Sequence, residues 1–337
     1  MYYHALAALS RQWDESAARA ILKQLEPIDD VSDPEILQLY LDLYGYDLAF
    51  SKKYQIIDRI ISLAETSVDR LHYRGLKSVE LFLIGDTEGS AVELEQAIKE
   101  FRKEREGSLT AYDSFRLGNN LDFLGLVKED AHLHEQARKL FQAALLDEDL
   151  SRRGRASFHA HIAKTWAHQE DWQKAKDCYL RSLDYDDTET VRVLIAECFI
   201  ELEDVSRALE YLESVEFKFL DGATKADYAF VYAAIVIVER DTGRAAQASE
   251  LLESVELLAP YFRERRDRLL LALQSSEGHK LTENEVAEAK RTLSDVIGFV
   301  NRYLMIQPNV AGLGLDLNKI VADFLDTRKQ RNDEARN

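Results

Sequence analysis

Five of the eight histidines fall in one stretch of the chain: His132, His134, His159, His161 and His168. Imidazoles near one another suggest proton transfer or metal ligation. Metal-binding histidines on a single helix are usually four apart, as in His-Glu-x-x-His, because one helical turn returns to the same face. Here His132 and His134 are two apart, and His161 and His168 are seven apart. His161 and His168 lie on a similar face, but no His/Cys cluster has the tight spacing of a structural metal site. These residues read as surface or groove histidines, and no metal site is expected.

The other chemistry-bearing types give no catalytic constellation. Acidic runs such as Asp147, Glu148 and Asp149, or Asp184, Asp186 and Asp187, are what 61 acidic residues produce by chance, and they fall at helix ends where solvated charge is usual. Cys178 and Cys198 sit inside apolar helical patterns and read as small buried hydrophobes. Two cysteines in 337 residues make no disulfide framework. Gly312 and Gly314 lack the following Lys-Ser/Thr and the third glycine of a phosphate loop, so they read as a tight turn. No Gly-x-Ser-x-Gly elbow occurs. Arg152, Arg153 and Arg155, like the arginines between 263 and 268, read as solvated faces or as local docking points for an acidic partner. No cofactor and no enzymatic activity are expected.

Composition then says what must position these groups. Only 4 prolines and 14 glycines interrupt 337 residues. The strongest helix breakers are therefore scarce, and no stretch has the apolar–polar alternation of a strand. A single compact core usually stops growing at roughly 250–300 residues, so an elongated array of helices is the economical solution. The net charge of −18 argues against general nucleic-acid binding, which needs Lys and Arg to neutralise phosphates, and disfavours anionic membranes. No basic-plus-apolar leader opens the chain, and no run approaches the ~20 apolar residues of a membrane span; Tyr228 to Val238 is too short and reads as a buried helix. The expected location is the cytoplasm.

An internal repeat orders the middle of the chain. Its best unit runs from Arg155 to Asp187, with Ile162, Ala163 and Trp166 on a first helix, a turn at Gln169, Glu170 and Asp171, and Trp172, Ala175, Tyr179 and Ser182 on a second. Residues three and four apart share a helix face. Small alanines suit close helix approach, and the aromatics fill space where helices diverge. The second-helix alanines Ala137, Ala175, Ala208 and Ala248 are 38, 33 and 40 residues apart. A helical hairpin of this kind cannot bury its apolar face without stacked neighbours.

These units resemble tetratricopeptide repeats, whose period is ~34 residues. The unit from Arg155 to Asp187 carries the resemblance best, through Ala163, Trp166, Trp172, Ala175 and Tyr179. It departs at Asp187, where proline is usual, and at Ser182, where alanine is commoner. The resemblance implies an all-α, right-handed superhelical solenoid of antiparallel helix pairs, with a C-terminal helical cap. It implies a concave groove lined by first helices. Carried over, the groove residues are Asn119, Asp122 and Leu126 in one pair, Lys164 with Ala160 and Ala167 in the next, then Val193 and Glu197, then Phe230 and Ile237 with Ala233.

The division expected is degenerate helical pairs over 1–110, the clearest repeats over 111–258, capping helices over 259–326 and a charged, frayed tail over 327–337. In the first part, Asp33 and Pro34 form a helix start, helices cover Val68–Leu83 and Ser90–Glu106, and Gly85–Gly89 is the loop between them. The chain is expected to begin inside an array cut from something longer, or with a small cap. The leading functional reading is a non-enzymatic scaffold or adaptor that takes a protein or peptide, a basic segment or amphipathic helix, in the groove. The alternative is a sensor or regulatory subunit of a larger assembly, of the bacterial signalling or defence kind, whose partner carries the catalysis. An enzyme with an unrecognised site stands third. Homo-oligomerisation is left open.

Overall fold

In a computed structural model, the protein is described over residues 20, 22–23, 28–44, 48, 50–105, 107–217, 220, 222–239, 241, 243–255, 266–267 and 269–273. The capping helices expected over 259–326, the glycine turn at Gly312 and Gly314 and the charged tail lie outside these residues, apart from the helical residues near 270. So does most of the first 27 residues.

The described residues are all-α, with no strand among them. After a single 3-10 turn at Ile28–Asp30, the helices are α1 (Pro34–Tyr44), α2 (Phe50–Leu63), α3 (Ser67–Leu83), α4 (Thr87–Glu104), α5 (Ala111–Lys128) and α6 (Ala131–Ala144). They continue with α7 (Arg152–Ala167), α8 (Trp172–Tyr185), α9 (Glu189–Glu201), α10 (Val205–Glu213), α11 (Gly222–Glu239) and α12 (Ala245–Ser254). Each packs on its neighbour in sequence, and α5 also packs on α3 and α7, as α9 does on α11. No described helix is long and apolar enough to cross a membrane.

One turn joins four of these helix pairs. Gly85, Glu129, Glu170 and Glu203 all adopt positive φ, between 55° and 87°. An aspartate follows each. Its N–H donates to the carbonyl five residues back: Asp86 to Leu81 at 2.9 Å, Asp130 to Gly125 at 2.7 Å, Asp171 to Trp166 at 3.0 Å and Asp204 to Phe199 at 2.8 Å. This satisfies carbonyls that a helix end leaves orphaned. The same aspartate then caps the next helix, its carboxylate accepting from the N–H of Gly89, His132, Lys174 or Arg207. One residue pair thus ends one helix and starts the next. Asp86 also explains why α4 begins at Thr87 rather than at Ser90: Gly89, assigned to the loop by sequence, is the residue whose N–H the cap engages.

Other starts are equally local. Thr110 and Asp113 form a reciprocal capping box at α5, Ser151 caps α7 through the N–H of Gly154, and Asp33 accepts from the N–H of Ile36 before Pro34. Arg155 donates to the carbonyls of Leu145 and Asp147, and Arg152 to that of Asp184. The basic spot at Arg152–Arg155 therefore ties down loops.

From α5 onward the helices alternate in character. α6, α8, α10 and α12 bury one stripe each, centred on Ala137, Ala175, Ala208 and Ala248, all fully buried. α5, α7, α9 and α11 are buried on nearly every face. Close contact is enforced where Gly118 meets Phe141: a Cβ at Gly118 would lie 2.3 Å from the ring. The hydroxyl of Ser182, the position where alanine is commoner, donates to the carbonyl of Ala156 at 2.8 Å and so joins α8 to α7. Cys198 is buried as expected, whereas Cys178 is only half-buried. Burial pushes both thiols up, which keeps them from acting as thiolates.

Candidate functional site

The sandwiched helices carry polar side chains inward as well as apolar ones. Asp122, in the fourth turn of α5, is the centre of one such group. The turn at Glu129 and Asp130 folds the first turn of α6 back over α5. Gly125 leaves room for this, since a Cβ there would lie 3.1 Å from both the His134 ring and the Asp130 carbonyl. The Nδ1–H of His134 donates to Asp122 Oδ1 at 2.6 Å. His168, at the end of α7, donates through Nδ1–H to the same oxygen at 3.1 Å. One turn earlier on α7, Lys164 Nζ lies 3.9 Å from Asp122 Oδ2. The four side chains are 2%, 4%, 1% and 3% exposed for Asp122, His134, His168 and Lys164.

Burial and mutual contact together set the protonation of Asp122, His168 and Lys164. Removing the Asp122 carboxylate from water raises its pKa, but His168, the hydrogen bond from His134 and the Lys164 ammonium outweigh that and hold it well below the usual carboxylate range. Burial lowers His168 to about 4 against the opposing pull of Asp122. Burial likewise lowers Lys164 to about 8, again opposed by Asp122. At neutral pH the carboxylate is ionised, Lys164 is its counter-charge, and the imidazole of His168 is neutral. Its Nδ1–H is committed to Asp122, and its buried Nε2 has no hydrogen-bond partner. Among the described residues, the hydrogen-bond partner of both His134 and His168 is Asp122. The ligating atoms of Asp122, His134 and His168 lie within 4.8 Å of one another, and one carboxylate with two imidazoles is a donor set able to hold a divalent transition metal.

His161 lies near this group on α7. Its Nδ1–H donates to the carbonyl of Ser157 at 2.8 Å, and its ring meets the edges of Phe115 and Phe141. Burial, reinforced by Lys164, lowers it to about 4. Reading these histidines as surface or groove residues therefore fails for His134, His161 and His168, whose side chains are enclosed by stacked helices. It holds for His132, which is exposed.

The residues carried over as groove-lining divide unevenly. Asp122 and Lys164 come together in the buried group. Leu126, Val193, Glu197, Phe230 and Ile237 are also buried, as are Ala160, Ala167 and Ala233, in contacts between helices. Asn119 alone of the eight principal residues is partly exposed, beside a cavity shared with His72 and Arg116. Both faces of α7, α9 and α11 are covered, so these positions line no open surface in the described structure.

His134 and His168 escaped sequence reasoning because they stand 12 and 46 residues from Asp122. A signal was present nonetheless. Aligned on Ala137 and Ala175, His134 occupies the place of Trp172, and on the first helices Asp122 occupies the place of Ala160. Two polar residues at interior places of one unit mark a site. No protein-family model matches the chain, and no curated protein sequence matches it.

Proposed function

We propose that this chain is a non-enzymatic scaffold of the tetratricopeptide type, a right-handed solenoid of helix pairs that binds another protein or a peptide. The observation that carries the reading is the turn repeated at Gly85, Glu129, Glu170 and Glu203, each with its capping aspartate. A turn recurring at intervals of 44, 41 and 33 residues is what a stack of like hairpins produces. Substantial contacts between helices adjacent or one apart in sequence fit the same plan.

The partner surface in this reading is not the set of interior positions but an open cleft of 420 Å³ at α4, α5 and α6. Buried Phe101, Leu117 and Leu121 line it beside exposed Arg102 and Lys139. A short acidic segment with one large apolar side chain fits that chemistry better than a basic one. Among the described residues, Arg102 and Lys139 are engaged by the surface groups Gln136 and Glu135, contacts that cost little to exchange.

Selection of a random-peptide library on the full chain, followed by calorimetry, tests this. Enrichment of acidic–apolar peptides, with affinity lowered about tenfold or more by R102E/K139E, is the expected result, since rim charges act by complementarity. No enrichment over an unrelated helical protein would remove the scaffold reading. Enriched peptides indifferent to the charge reversal would remove the cleft.

A further inference from the structure

We infer that Asp122, His134 and His168 form a binding site for one divalent first-row transition ion, of which zinc is the type case. The ligands come from three successive helices: α5, the start of α6 and the end of α7. Zinc holds nitrogen and oxygen donors at about 2.0–2.2 Å, so donors to one ion sit within roughly 4 Å of one another. The gaps from Asp122 Oδ1 to the two Nδ1 atoms are hydrogen-bond distances, 2.6 and 3.1 Å, from which the groups would part slightly to admit an ion, and one ligating atom from each residue lies within 4.8 Å of the others.

The donor set and its burial choose the ion class. Calcium and magnesium take oxygen ligands, whereas imidazole with carboxylate suits zinc, iron, cobalt or nickel. In the ion-free protein each Nδ1 carries the proton it shares with Asp122; an ion would replace that proton as it shifts to Nε2, which in His168 is buried without a hydrogen-bond partner. Lys164, 3.9 Å from Asp122 Oδ2, is the competing cation. It neutralises the carboxylate in the ion-free protein and weakens, without abolishing, the attraction for an ion. Binding joins α5 and α6 to α7 and so staples one helix pair to the next.

The test uses the full chain, stripped with a chelator, titrated with zinc chloride by calorimetry and with cobalt(II) by visible absorption. The expected result is one saturable equivalent, with cobalt d–d bands showing nitrogen donors. H134A and H168A are expected to weaken binding by about tenfold or more, because even outer partners of metal ligands are worth 10–100-fold. K164M is expected to bind at least as tightly as the wild type. Because H134A or H168A can also disturb packing, K164M and the wild-type cobalt spectrum decide independently. No saturable equivalent in the wild type overturns the inference. So does binding that survives H168A but disappears in H132A, which would mark an adventitious ion on the exposed His132 and Glu135 pair. Weaker binding in K164M overturns it as well.

Discussion

Lys164 and Asp122 face each other across the contact between α7 and α5, 3.9 Å apart and closed off from water. Neither has the solvent that normally screens an ion pair, so each depends on the other. Asp122 has two further hydrogen bonds from imidazoles. Lys164, with burial already lowering its pKa, is the more exposed to loss of its partner.

Asp122→Ala is therefore expected to destabilise by about 3–5 kcal/mol, the cost of leaving a buried charge uncompensated. Asp122→Ala combined with Lys164→Met is expected to recover part of that loss, giving a coupling of about 0.5–3 kcal/mol. Urea denaturation of the four proteins measures the cycle. Additive effects would mean the two groups do not interact.

Gly118→Ala places a methyl group 2.3 Å from the Phe141 ring. Overpacking of this kind costs about 1–3 kcal/mol, set against the roughly 1 kcal/mol by which alanine favours a helix. A net loss is expected, and pairing the change with Phe141→Leu should reverse part of it. If Gly118→Ala raised the melting temperature, the close approach of α5 and α6 would be refuted.

Glu170 is held at φ 59°, in the left-handed region that side chains resist. Glu170→Gly relieves a penalty of about 1–2 kcal/mol, less the extra freedom glycine gives the unfolded chain. A stabilisation of up to about 1 kcal/mol is expected, with Glu129→Gly and Glu203→Gly behaving alike. Destabilisation at all three would show that the glutamates contribute something their shared backbone shape does not explain.

Burial lowers His161 from its ordinary value of 6.5 to about 4. The folded state therefore resists a proton that the unfolded chain accepts. The stability this residue contributes is fully present above pH 6.5 and is lost as pH falls through 6.5 towards 4. The loss from this residue is about 3 kcal/mol at most, at 1.36 kcal/mol for each pKa unit. Chemical denaturation at stepped pH should show His161→Phe losing less stability over that window than the wild type. Identical slopes would place the sensitivity elsewhere, with His168, lowered for the same reason, the first to examine.

Much of this architecture can be read without coordinates. Helix existence follows from scarce Pro and Gly and a 3.6-residue apolar period, which are local properties. So does the small-residue stripe Ala137, Ala175, Ala208 and Ala248, where each residue reports the close approach of its own helix. Helix ends are less legible. The turns at Glu129, Glu170 and Glu203 use a residue type that seldom takes a left-handed backbone, and their aspartates work only through hydrogen bonds to carbonyls five residues back.

What the sequence determined, then, is everything that depends on neighbours within a turn or two: an all-helical chain, paired hairpins and the alanines at their contacts. Tertiary structure alone decided which faces are closed. An amphipathic pattern shows one buried side of a helix, but it cannot show that α7, α9 and α11 are covered on the other side too, because that depends on which helices stack against them. For the same reason Asp122 and Lys164 read as groove residues until α5, α6 and α7 were packed together. Packing joined them to His134 and His168 and removed all four from water. Burial and the neighbouring groups then shifted the protonation of Asp122, Lys164 and His168.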